Sequence, residues 1–278
     1  MDPEALVKEG KLDDALAAIT QQVKDDPAKP ENHVFMFQLL SVMGQWDRAL
    51  TRLNVASELD ADAELLKHLC TPALQADALR REIFAGTRSP LIFGEPDEWI
   101  GWLVQTLGLL AAGNHAEAAE LRDRAFDQAP AAGGRITVGD GAPQDFEWIA
   151  DADGRLGPVL EAVIDHKYYW LPLHRVSSIS TAPPAALRDL VWMPATINLT
   201  TGLETNGMLF VRYPGSAESD DPAIRMARKT EFDESIDGFA HGLGQRMIAT
   251  DTGEHALLDI RHIEIDWSED TDGRADTE

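Results

Sequence analysis

Cysteine is almost missing from this chain: Cys70 is the single one in 278 residues. An internal disulfide is thereby excluded, as is a zinc cage built on thiolates. Positive charge is scarce as well, with 24 Lys and Arg against 48 Asp and Glu, a formal charge of −24. A field of that sign repels phosphate backbones and anionic headgroups, so no nucleic acid and no membrane surface is expected as a partner. Long apolar runs are lacking too. The longest uncharged stretch, Trp99–Ala116, contains Gln105, Thr106, Asn114 and His115, and Gly113 should end its helix. A spanning helix needs ~20 mostly apolar residues. The opening Met1-Asp2-Pro3-Glu4 is acidic where a secretory leader is basic, so a cytoplasmic location is expected.

Signatures of catalysis are equally thin. No pair among the eight histidines has zincin spacing, and Gly215-Ser216-Ala217 does not continue into a nucleophile elbow. Gly242-Leu243-Gly244 lacks the third glycine of a nucleotide fingerprint and reads as a bend or bulge. Asp151-Ala152-Asp153-Gly154 resembles part of a calcium loop, but that register puts Ile149 first and Leu160 twelfth, and neither can bind the ion. Cys70, beside Leu65, Leu66 and Leu69, reads as an inert core thiol. No cofactor, no metal and no enzymatic activity are expected.

What the chain does have, in its first half, is a repeat. Gly10-Lys11-Leu12-Asp13-Asp14-Ala15 is echoed by Gly44-Gln45-Trp46-Asp47-Arg48-Ala49, one tetratricopeptide period further along. Gly113-Asn114-His115-Ala116-Glu117-Ala118 follows after close to two more periods. Pro27 stands as far beyond Gly10 as Pro130 does beyond Gly113, half a period in each case. The pattern is tetratricopeptide-like: glycine ends the first helix of a pair, a small residue lets the second pack closely, and proline punctuates. A repeat expected over Glu64 to Gly86 is degenerate and carries Pro72. Stacked helix pairs share one core and leave a concave face. The pattern puts Glu31, Val34, Gln38 and Ser41 on that face in the second repeat, and Ile100, Leu103, Leu107 and Leu110 in the last. The second set is wholly apolar, so it is either a groove for a partner helix or the surface on which the rest of the chain docks. Docking is the commoner arrangement. If Leu103 and Leu107 line a groove, replacing either with Asp should cost on the order of 2 kcal/mol of affinity.

Beyond the repeat, the period changes from 3.6 to 2. Ala129–Ala142 is rich in Gly and Ala and reads as a boundary. Tyr168–Leu171, Thr196–Thr200, Met208–Val211, Gln245–Thr250 and Ala256–Ile265 read as strands, the second and third joined as a hairpin through Gly202. Ala217–Arg228 reads as an acidic loop. The expected fold class is α+β: an all-α array over 1–130, a linker over 131–143, a small mixed or antiparallel β-rich domain over 144–267, and a disordered acidic tail over 268–278.

Within that β-rich part, several segments in a particular order resemble one family. They are Tyr169-Trp170-Leu171-Pro172, Arg175–Ile179, Pro183-Pro184, Leu187–Leu190, Trp192–Ala195, Leu209–Ser216, Gly242–Arg246 and Leu257–Ile263. Their order and spacing, behind a helical repeat, resemble the ImpE/SciE-type accessory proteins of bacterial type VI secretion, also called TagJ. The resemblance implies a non-catalytic adaptor beside the contractile sheath. It also implies binding to the N-terminal helix of the small sheath subunit (TssB-like) and a link to sheath recycling by the ClpV ATPase. Arg175, Arg188, Asp189 and Arg212 form either a recognition patch or, the commoner role, structural ion pairs. Trp170, Trp192 and Tyr213 are either interface anchors or core. A general adaptor or chaperone for another cytosolic complex, and a hydrolase with an unrecognised site, are the competing readings.

Overall fold

Helices built around recurring glycines open the chain. A computed structural model describes residues 2–267 apart from Pro96 and Asp237; the tail expected over 268–278 lies outside the described residues. The first five helices are α1 (Pro3–Lys8), α2 (Leu12–Asp25), α3 (Pro30–Val42), α4 (Trp46–Leu59) and α5 (Ala61–Phe84). A short strand, β1 (Leu91–Ile92), intervenes before α6 (Glu98–Ala111) and α7 (His115–Gln128). Gly10, Gly44 and Gly113 stand just past α1, α3 and α6 with φ of +79°, +69° and +78°, a left-handed conformation that ends a helix at little cost for glycine. That requirement is the source of the sequence repeat.

The degenerate repeat resolves differently from its expectation. In place of a helix pair, α5 runs for 24 residues straight through Pro72. Its Ala, Leu, Lys, Gln and Arg content favours helix throughout, and packing of Cys70, Ala73, Leu74, Ala76 and Ile83 holds it despite the ~3 kcal/mol an interior proline costs.

The strands that follow are β2 (Gly134–Val138), β3 (Gln144–Phe146), β4 (Ile149–Asp151), β5 (Val159–Ile164), β6 (Lys167–Pro172), β7 (Val176–Thr181), β8 (Trp192–Leu199) and β9 (Glu204–Phe210). A four-residue helix, α8 (Pro222–Arg225), interrupts the expected acidic loop. Then come β10 (Thr230–Asp233), β11 (His241–Gly244), β12 (Met247–Thr250), β13 (Gly253–Ala256) and β14 (Ile260–Ile265). Nine strands form one sheet in the order β1-β6-β5-β9-β8-β7-β14-β2-β3, antiparallel except for β1 against β6. Strands β13, β12 and β4 form a smaller sheet, and β10 pairs with β11. The organisation is α+β, as expected.

Two details correct the sequence reading of the boundary. The stretch 131–143, expected as a linker, contains β2. A Cβ on Gly134 would lie 2.0 Å from the Glu264 carbonyl oxygen, so the glycine serves close strand pairing. The helical half also donates β1 to the sheet. The expected pair Gln245–Thr250 and Ala256–Ile265 divides into three strands, because the hairpin partner of β12 is Gly253–Ala256 while β14 crosses into the large sheet.

The sheet is buried on both sides where the helices cover it. Along β5, Val159 and Val163 join the helices in one apolar core, whereas Leu160, Ala162 and Ile164 face a second core that includes Ile136, Met193, Leu209, Ile248 and Ile263. This is the period-2 rule applied to a strand with no solvent face. The apolar side of α6, with Trp99, Ile100, Leu103 and Leu107, belongs to the first core.

A buried ionic network ties helices to sheet. Arg80 of α5 donates from Nε and Nη2 to the two carboxylate oxygens of Glu161 on β5, at 2.6 and 2.8 Å. Arg246 donates to the same carboxylate at 2.5 Å and also to Asp151, and the Tyr168 hydroxyl donates to Glu161 at 2.5 Å. Arg80 further reaches Asp77 at 3.1 Å and the Arg212 carbonyl at 3.0 Å. The Arg212 guanidinium caps the C-terminal end of α3 by donating to the Val42 and Ser41 carbonyls at 2.7 and 3.2 Å. Burial alone would push the Glu161 carboxyl up, but the Arg80 and Arg246 guanidinium groups outweigh it and hold the carboxyl at about 2, below its usual 4.5.

Two outcomes are expected. Glu161→Gln leaves two buried guanidinium groups without their shared anion and should lower unfolding stability by about 3–5 kcal/mol in urea titrations. Because the folded-state carboxyl is depressed, its contribution is complete above pH 4.5 and is lost as pH falls toward 2. That contribution is about 3 kcal/mol, and the Gln variant should lack that part of the wild-type acid sensitivity. Leu107→Asp places a carboxylate in the core and should destabilise the fold by about 3 kcal/mol or more in the same assay.

Candidate interaction surface

Both faces expected to receive a partner helix are occupied by the chain itself. On α3, Val34 and Gln38 are half-buried and Ser41 is fully buried. The Gln38 Oε1 accepts from the Arg188 amide at 3.1 Å, and Ser41 lends its carbonyl to Arg212. On α6, Ile100, Leu103 and Leu107 are buried and Leu110 is partly buried against the same core. Of the two roles open to the α6 stripe, the structure selects internal packing; these leucines are not free to grip another molecule. The reason is topological: the sheet lies on the side that an isolated helical array would leave open.

Most of the aromatic and charged residues singled out within the resemblance are internal as well, with Arg175 and Arg188 half-buried. Trp170, Trp192 and Tyr213 are each at most 1% exposed. The Trp192 indole donates to Asp77 at 2.8 Å, and the Tyr213 hydroxyl donates to Asp151 at 3.1 Å. Gly242 gives Tyr213 its place, since a Cβ there would stand 2.3 Å from the ring. Asp189 accepts from the Ala185 and Ala186 amides at 2.9 and 2.8 Å, and Arg175 donates to the Glu95 carbonyl at 2.8 Å. These are structural partners.

Reactive chemistry finds little purchase. Burial pushes the Cys70 thiol up to about 12, far from a nucleophile's range. Burial also lowers the pKa of His174, which lies 3.1 Å from Asp97 between Trp99 and Trp267. His262 engages Ser180 at 2.9 Å and shares no site with His255. Among the described residues no group of three or more His, Cys, Asp and Glu is arranged to hold a metal ion.

The open apolar surface lies elsewhere. Among the described residues, the large exposed apolar side chains are Leu59, Leu65, Leu69, Leu91, Trp148 and Leu203. Three of these six sit at one corner, where α4 ends and α5 begins. Leu65 is 64% exposed and Leu69 47%, and with Pro72 they follow i, i+4, i+7 along α5. The sequence reads Cys70 as a core thiol and assigns no face to Leu65 and Leu69 beside it. In the structure Cys70 faces inward and the two leucines face out, because Ala61–Cys70 carries more apolar side chains than one buried stripe of a helix can take.

Next to this stripe runs a groove of about 420 Å³, walled by Leu69 and Pro72 on α5 and by Val163, Ala182, Pro194 and Met208 on the sheet. It forms where the helical cover stops. On the helix-facing side of β8, Trp192 is buried and Pro194, two residues on, is exposed; on β9 the same step leads from Met208 to Asn206. One end of the groove is bounded by the β5–β6 turn, where Asp165 and His166 have φ of +47° and +63°. The His166 ring meets the His68 ring of α5 with centroids 4.4 Å apart. A wider depression lies beside Thr87, Val104 and Leu121, but none of its lining is a large exposed apolar residue.

Comparison with known proteins agrees with this architecture in both halves. Residues 143–264 match the family model described as ImpE protein, and residues 6–71 match a tetratricopeptide repeat model. A Pseudomonas aeruginosa protein named type VI secretion system accessory component TagJ is 47% identical over 267 residues, covering 96% of this chain and 92% of its own. The crystal structure of a Vibrio parahaemolyticus protein superimposes with a TM-score of 0.81 over 96% of this chain and 98% of that one, a likeness of fold at 21% identity. Shared sequence thus runs from the helical array to the last strand, and the chain belongs to the ImpE/TagJ family.

Proposed function

We propose that this chain is a non-catalytic accessory component of type VI secretion that works in the cytoplasm. On this reading it holds the amphipathic N-terminal helix of the small contractile-sheath subunit and thereby influences sheath assembly or ClpV-dependent recycling. The observation that carries the reading is the 47% identity to TagJ across 96% of the chain. The physical properties fit an adaptor. An exposed apolar corner offers contact area, and the formal charge of −24 favours a basic partner. No described helix is long and apolar enough to cross a membrane.

In this mechanism the two forces have separate roles. Apolar contacts made after docking set the lifetime of the complex, and the negative field raises the encounter rate with basic flanks. The test uses the full chain, since helices and sheet share one core. Immobilised full-length protein should retain the small sheath subunit from a purified mixture of the two sheath subunits. Raising salt from 50 to 500 mM should slow association by about tenfold while changing dissociation little. Retention of neither subunit would contradict the assignment, and capture of an unrelated cytosolic complex in their place would favour the general-adaptor reading.

A further inference from the structure

The docking site of a partner helix can be located on this molecule. Resting on the function proposed above, we infer that the occupant lies along the outer face of α5, across Leu65 and Leu69 and into the groove beside Pro72, and that it is a basic amphipathic helix. Three observations converge on this corner.

The first is geometry. Leu65, Leu69 and Pro72 span two helical turns, ~10 Å, the length over which a partner helix presents its own i, i+4, i+7 anchors. The groove gives such a helix a second wall that changes character across its width. Val163 and Met208 beside α5 are apolar, whereas Thr196 and Asn206, hydrogen-bonded to each other at 3.2 Å, lie farther out on the sheet. A helix with one apolar and one polar side matches both walls.

Charge is the second. Glu58, Asp60, Asp62 and Glu64 flank Leu59 and Leu65 at the α4–α5 corner, and Asp165 stands at the other wall. Two cations stand against these five acids: Lys67, 3.8 Å from Glu64, and the exposed Lys167 that follows the β5–β6 turn. The rim is therefore acidic, which selects lysine- or arginine-flanked helices and disfavours acidic ones.

The third is a strained turn. Asp165 and His166 both adopt left-handed backbone conformations in a two-residue hairpin, a place where Asn-Gly or Asp-Gly costs less. From this turn the His166 ring packs on His68, which joins the sheet wall of the groove to the helix wall before any partner arrives. A preformed groove loses less entropy on binding.

The experiment is a titration of full-length protein against a fluorescein-labelled peptide of the small subunit's N-terminal helix, followed by anisotropy and stopped-flow. Leu65→Ser/Leu69→Ser removes the anchors without adding charge, and since both side chains point to solvent its Tm should match wild type. Its Kd should rise at least tenfold. Asp62→Lys/Glu64→Lys should slow association several-fold with dissociation nearly unchanged, and Trp148→Ser, an exposed aromatic just after the edge strand β3 and outside the groove, should behave as wild type. Wild-type binding that survives Leu65→Ser/Leu69→Ser would overturn this location while leaving the proposed function standing. No wild-type binding would overturn both. A wild-type dimer that Leu65→Ser/Leu69→Ser converts to monomer would overturn the location too, because a second copy would then cover the stripe.

Discussion

One carboxylate between two guanidinium groups governs how this molecule is put together. Glu161 sits on an interior strand with its side chain fully out of water, and its two partners come from different parts of the chain, Arg80 from α5 and Arg246 from the segment before β12. Ions in an apolar interior are tolerable only when every one is matched. The match exists in a single register of α5 on the sheet. Shifting the helix by one turn would separate Arg80 and Asp77 from their partners, at a cost of about 3–5 kcal/mol for each buried pair broken. The network therefore contributes more to uniqueness of the arrangement than to its depth.

From that register the exposed surface follows. With α5 pinned, α3 turns the face that a free tetratricopeptide array would offer to ligands toward the Leu187–Leu190 segment, and α6 buries its stripe in the core that helices and sheet share. Arg212 completes the closure at the end of α3. What stays outside is the far side of α5 and the portion of β8 and β9 that the helices do not reach. The molecule thus keeps a repeat architecture while moving its exposed apolar surface from the concave face to a corner.

Local signals are legible in the sequence, and distant ones are not. Gly10, Gly44 and Gly113 announce helix ends because a left-handed residue is a local demand. The β8–β9 hairpin shows itself through alternation and Gly202 for the same reason. Gly134 misleads, since glycine marks both a loop and the tight approach of two strands, and only the partner strand around Glu264, at the far end of the fold's sequence, distinguishes them. Arg80 and Glu161 are likewise remote from one another along the chain, and nothing near either reveals the other. The apolar stripe of α6 is recognisable as a stripe, but which molecule covers it is a tertiary question. The outward placement of Leu65 and Leu69 is not legible either, because a helix with apolar residues on most sides has no unambiguous inner face.

Helices and sheet that share one core and one ionic network should unfold as one cooperative body. Native-state hydrogen exchange resolved by peptide measures this directly. Amides of α5 and of β5 should open with a common free energy equal to that of global unfolding. Exchange of α1–α5 at a distinctly lower free energy than the sheet would show two independent units and contradict it.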